Sequence, residues 1–193
     1  RDRSLVAAAY SRVPLAGSRN RGYVIEALVR AVDERHLNAS AHRPGHEQAP
    51  PECVEPSSKS HPCDWLRGTR RIECKSAQFM WDRQVRSWLF RFCNVKFAFG
   101  SVRPEPLFDE LLLAMYCPLG IHVYKHDFLF GVCTNGKSTQ AFGHRINFFG
   151  PRGEQDWRVA FPAVMGKLRA SGCQHMAFVF WDTASRADVD AAS

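Results

Sequence analysis

The stretch Pro62-Cys63-Asp64-Trp65-Leu66-Arg67-Gly68-Thr69-Arg70-Arg71-Ile72-Glu73-Cys74-Lys75 reads as two short strands joined at Gly68-Thr69. A two-residue loop that begins with Gly is the signature of a type II′ hairpin, because Gly accepts the positive φ that this turn demands. Counting outward from the turn sets the register: Arg67 opposite Arg70, Leu66 opposite Arg71, Trp65 opposite Ile72 and Asp64 opposite Glu73. Opposed residues share a face and successive residues alternate between faces. The pattern therefore predicts Asp64, Glu73 and Lys75 on one side, with Cys63, Trp65, Ile72 and Cys74 on the other.

Two carboxylates set across from each other repel, and such a pair destabilises a sheet unless something offsets it. A divalent cation does so, and Mg²⁺ in particular prefers carboxylate oxygens while keeping several waters. A lysine two residues beyond the second carboxylate then stands beside any water that the metal holds. The local chemistry is that of metal-assisted hydrolysis.

Asp64 followed by Glu73-Cys74-Lys75 resembles the PD-(D/E)xK signature of the restriction-endonuclease-like nucleases, with Pro62 near the family's proline and Cys63 intervening. The resemblance implies an α/β fold, a mixed β-sheet flanked by helices, and a Mg²⁺-dependent endodeoxyribonuclease in which Mn²⁺ can substitute. It assigns Asp64 and Glu73 to the metal, adds the Cys74 carbonyl as a further ligand, and gives Lys75 the task of orienting or deprotonating the water. Nucleases of this kind often carry a metal-binding glutamate on the first helix, where Glu26 stands, and a glutamine shortly after the lysine, where Gln78 stands. Glu26 is equally readable as a solvent-facing partner of Arg30. Sequence-specific cleavage of two-fold symmetric duplex DNA further implies a homodimer.

The chain has 193 residues, 45% hydrophobic and 12% aromatic, which suits one globular domain with a sizeable core. Its net charge of +7 favours a polyanionic partner, since neutralising phosphates releases condensed counterions. Arg67, Arg70, Arg71, Arg83, Arg86 and Arg91 are the candidate DNA-backbone contacts. Seven cysteines without a CxxC pair point away from a disulfide framework or a zinc finger and toward an intracellular setting. No apolar run is long enough to span a bilayer, so no membrane association is expected.

A helix is predicted over Tyr23 to Arg35, with Val24, Ile25, Leu28 and Val32 as its apolar stripe. Residues 38–61 read as a long flexible loop, where His42, His46, Cys53 and His61, with Cys63, leave a zinc-binding interaction domain as a minor alternative. Trp88 to Phe92 alternates as a strand, and Leu111 to Tyr116 is apolar without interruption, as in a buried central strand. His122 and His126 are four apart but fall in a β-like segment. A helix is expected around Trp157 to Leu168, and a last strand over Met176 to Trp181. The main alternative to a nuclease is a nucleic-acid-binding module of the same fold without catalysis.

Overall fold

The computed structural model describes residues 3–11, 18–41, 53–54, 63–95, 108–126 and 144–181. In chain order its elements are α1 (Arg3–Ala9), α2 (Ser18–Ala41), β1 (Cys53–Val54), β2 (Trp65–Arg67), β3 (Arg70–Gln78), β4 (Met80–Asp82), β5 (Ser87–Val95), β6 (Glu110–Cys117), β7 (Gly120–His126), β8 (His144–Phe149), α3 (Trp157–Ala170) and β9 (Gln174–Phe180). Six strands form a mixed sheet in the order β1-β2-β3-β6-β7-β9, and β4-β5-β8 form a second sheet. The class is α/β, with a mixed sheet, a second sheet and helices, α2 covering one face of the mixed sheet.

The hairpin forms where the turn chemistry places it. Gly68 has φ 60, and the ladder pairs Arg67 with Arg70, Leu66 with Arg71 and Trp65 with Ile72. On its other side β3 runs parallel to β6, with Glu73 beside Leu111, Cys74 beside Leu112 and Lys75 beside Leu113.

Every residue of β6 is buried, because the strand is covered on both faces. Leu112, Ala114 and Tyr116 pack with Ile72, Cys74, Trp65 and with Ile25 and Val29 of α2. Leu111, Leu113, Met115 and Cys117 face the second sheet and α3, against Phe79, Phe90, Phe92 and Phe161. Each such fully buried leucine contributes roughly 2 kcal/mol.

Helix α2 is longer than its apolar stripe implied, running from Ser18 to Ala41. Its buried line is Ile25, Val29 and Asp33, spaced by four, whereas Val24 is 68% exposed. A carboxylate thus occupies a position that hydropathy alone reserves for an apolar residue. The expected loop begins later than residue 38, and Cys53–Val54 within it pairs with β2. His42, His46 and His61 lie outside the described residues.

Helix α3 starts at Trp157, where the Asp156 side chain caps it by accepting from the Arg158 N–H. Pro162 lies inside the helix. Strand β9 comes so close to β7 that a Cβ on Gly120 would stand 2.2 Å from the Val179 carbonyl oxygen. Tyr10, just past α1, donates its hydroxyl to the carbonyls of Phe79 and Tyr116 at 2.9 and 3.0 Å. No helix among the described residues is long and apolar enough to cross a membrane.

Candidate active site

The hairpin register holds for three pairs and breaks at the fourth. The Asp64 N–H donates to the Ile72 carbonyl at 2.8 Å, so Asp64 and Trp65 both stand against Ile72, in the manner of a bulge. The expected opposition of Asp64 and Glu73 is therefore not a ladder pair. One extra residue on a strand shifts its alternation by one. Cys63 accordingly packs with Ala77, Leu111 and Leu113, while Trp65, Ile72 and Cys74 pack on the α2 side. Cys63 had been expected on the Trp65 side, and the bulge is the reason it is not.

Where the ladder stops, a side chain takes over its role. Asp64 Oδ2 accepts from the Cys74 N–H at 2.7 Å. Both polar backbone groups of a strand residue point the same way, so the Cys74 carbonyl is turned to this same edge of β3, beside Asp64.

Glu73 and Lys75 share the face of Leu111 and Leu113, and the Lys75 ammonium forms an ion pair with Glu73 Oε1. Glu73 is buried and the Lys75 side chain is 20% exposed. Burial pulls the Lys75 pKa down, but the carboxylates of Glu73 and Asp64 outweigh it and leave it raised. Lys75 is thus an ammonium near neutral pH.

The two carboxylates also act on the neighbouring thiols. Burial, then Asp64, pushes Cys74 well above the ordinary thiol range, with Lys75 pulling against them and Glu26 and Glu73 adding to the rise. Cys63, on the other face, is raised by burial and then by Glu73 and Asp64. Neither thiol is a nucleophile near neutral pH. Burial is the main cause for both thiols, and the Asp64 and Glu73 carboxylates add to it on both faces of the sheet.

Not all of the sequence-derived residues gather there. Glu26 lies on α2, which covers the face opposite Glu73 and Lys75, and its charge acts on the Cys74 thiol. Gln78 is on that same α2 face beside Tyr116, where it accepts from Arg21 Nη1 at 2.8 Å. Arg21 in turn lies over the Tyr116 ring, 5.5 Å from its centroid. The structure therefore separates Gln78 from the lysine it follows, because the two are an odd number of residues apart along a strand.

Most of the candidate phosphate contacts are engaged within the protein. Arg67, 14% exposed, meets Glu110 at 2.5 Å and Asp33 at 3.3 Å. Arg70 meets Glu110 at 2.6 Å but is 63% exposed. Arg71 grips Asp109 through its backbone N–H and its guanidinium, at 2.7 and 2.8 Å. Arg91 bonds Asp82 at 3.0 Å and Asn147 at 3.2 Å. Arg83 and Arg86 are exposed in the turn between β4 and β5.

Sequence reasoning passed over Asp33, Asp109, Glu110 and Lys125, which organise these arginines. Asp33 accepts from the Trp65 indole at 3.0 Å, and Lys125 completes the Glu110 cluster at 3.1 Å. Only Asp33 had a legible signal, as a charge on the buried stripe of a helix.

Among the described residues no three His, Cys, Asp or Glu side chains converge as a metal-ligating group. Mg²⁺ does not need three, since one or two carboxylates with waters commonly hold it. Asp64 and Glu73 are hard oxygen donors in a negative field, and they fit that ion. No family model matches the chain, and neither a curated protein nor a solved structure matches it.

Proposed function

We propose that the protein is a Mg²⁺-dependent endodeoxyribonuclease of the restriction-endonuclease-like, PD-(D/E)xK kind, hydrolysing phosphodiester bonds. The observation that carries this reading is the convergence of Asp64, Glu73 and Lys75 where β2 peels away from β3. Asp64 and Glu73 would hold Mg²⁺ or Mn²⁺, with the Cys74 carbonyl on the same edge. When bound, the ion supplies Lewis-acid polarisation of a phosphoryl oxygen and a water of lowered pKa.

The side chains contribute the rest. The Cys74 N–H fixes the Asp64 carboxylate in one orientation, which limits reorganisation during reaction. Lys75 carries three N–H donors, of which Glu73 takes one. As an ammonium it orients the attacking water and stabilises charge building on the phosphate, and it is not the base in this protonation state. Arg70 retains donors beyond the one it gives Glu110, and the net charge of +7 draws a polyanion toward the surface. A sequence-specific enzyme of this kind would act as a homodimer on duplex DNA.

A second reading rests on the Lys75–Glu73 ion pair itself, which makes a self-contained structural contact. In that reading the domain binds nucleic acid without cutting it. Plasmid cleavage separates the two, run with Mg²⁺, with EDTA and with Lys75→Ala. Metal-dependent cutting that the variant loses supports the nuclease. Binding without cutting supports the second reading, and undiminished cutting by Lys75→Ala removes this lysine from the mechanism.

A further inference from the structure

Away from the hairpin, the sheet face covered by α3 carries two histidines from neighbouring strands. His122 of β7 and His175 of β9 bring Nδ1 and Nε2 to 3.4 Å. The His122 ring is held in place by Phe178, stacked with centroids 3.9 Å and planes 8° apart, and by Phe161 of α3 at 5.7 Å. His175 lies against the Tyr124 ring at 4.8 Å. Backbone pairing of His122 with Phe178 and of Tyr124 with His175 sets this spacing. Because β9 ends the strand order, the pair spans the seam between the outermost strand and the rest of the sheet.

We propose that His122 and His175 form a binding site for a borderline transition-metal ion such as Zn²⁺, Ni²⁺ or Cu²⁺, which clips strand β9 to β7. Two nitrogens each about 2.0–2.1 Å from a tetrahedral zinc ion are about 3.4 Å apart, the separation the two imidazoles already hold. Imidazole nitrogen suits these ions, whereas Mg²⁺ selects oxygen, so this site is independent of Asp64 and Glu73.

A ligating imidazole must be neutral. Burial lowers the His122 pKa to about 3, with His175 and Arg169 acting in the same direction, so the ring is neutral near physiological pH. Arg169, in the last turn of α3, is the cation that opposes an ion here. Among the described residues, Tyr124 and Cys173 are further titratable side chains of this neighbourhood. Two protein ligands leave the remaining coordination positions to water.

The test uses the whole chain, stripped with EDTA and titrated with Zn²⁺ by calorimetry at neutral pH. His122→Gln, His175→Gln and Arg169→Gln are run beside it. The chain has eight histidines, so the difference in stoichiometry between native and variant isolates this pair. Each histidine variant is expected to bind one equivalent fewer, and Arg169→Gln to bind that equivalent more tightly. Zinc should raise the Tm of the native chain and not that of His175→Gln. His175 is exposed, so its variant carries the test even if His122→Gln misfolds. Equal zinc stoichiometry in His175→Gln and the native chain, or a native Tm that zinc does not move, overturns the proposal and leaves a plain hydrogen bond between the rings.

Discussion

Replacing Glu110 with Gln should cost the fold about 2–3 kcal/mol near neutral pH. Glu110 is 3% exposed and receives Arg67 at 2.5 Å, Arg70 at 2.6 Å and Lys125 at 3.1 Å. Removing one partner of a buried ion pair typically costs about 3–5 kcal/mol, because the other charge is left uncompensated. Two features reduce that here: Arg67 keeps Asp33 at 3.3 Å, and Arg70 and Lys125 can turn to solvent. In urea, with a slope of about 2 kcal/mol/M, the midpoint should fall by roughly 1 M. The pH dependence is the sharper test. Burial works to raise the Glu110 pKa, but hydrogen bonds from Arg67, Arg70 and Lys125 outweigh it and leave it lowered. A carboxyl whose folded pKa lies below its unfolded value stabilises the fold fully above the unfolded value, near 4.3, and loses that contribution as pH falls through the folded pKa. Asp82 and Asp109 are lowered too, so the acid limb of the native curve is shared. The difference between native and Glu110→Gln curves isolates this residue. It should be constant above about pH 5 and shrink toward zero below the unfolded pKa. A difference under about 0.5 kcal/mol, or one that ignores pH, refutes the reasoning.

Asp64→Asn keeps an acceptor for the Cys74 N–H, so its stability should stay within about 1 kcal/mol of native while Mg²⁺-stimulated cleavage is lost; Asp64→Ala should cost about 1–3 kcal/mol by urea unfolding. Gly120→Ala drives a Cβ into the Val179 carbonyl oxygen and should cost about 3 kcal/mol, with hydrogen exchange accelerated along β9. Tyr10→Phe removes the donor shared by the Phe79 and Tyr116 carbonyls and should cost about 1–2 kcal/mol in the same unfolding assay.

The parts legible in the sequence were those decided by neighbours along the chain. Gly68-Thr69 set the turn, and the turn set three register pairs. The unbroken apolar run of β6 announced a strand covered on both faces. Legibility ended where a distant segment decided the outcome. The slip at Asp64 depends on the chain leaving β3, which no local propensity encodes, and it changed the face of Cys63. His122 found its partner 53 residues away on β9, not four residues away at His126. The arginines looked alike in sequence, and only the fold shows that Arg67 is held by Asp33 and Glu110 while Arg70 is mostly exposed.

Two charge clusters, built on opposite faces of the sheet at this hairpin, differ in a way that bears on function. Asp64, Glu73 and Lys75 sum to one negative charge, which favours a cation. Arg67, Arg70 and Lys125 against Asp33 and Glu110 sum to one positive charge, which favours an anion. Arg70 is three residues from Glu73, roughly 10 Å along the strand and on the opposite face of the sheet. The two clusters lie on opposite faces of the sheet, so a phosphodiester backbone held at Arg70 is a contact separate from the metal site. Arg70 is the member of the second cluster with most of its surface in solvent, and its ion pair with Glu110 contributes little to stability for that reason. Arg70→Gln should therefore leave the urea midpoint nearly unchanged. It should weaken duplex binding across all sequences, and reduce the slope of log K against log salt by about one. Fluorescence anisotropy in EDTA over a range of salt concentrations reads that slope without cleavage intervening. An unchanged slope would assign Arg70 to the fold alone, and a midpoint that falls as far as that of Glu110→Gln would do the same.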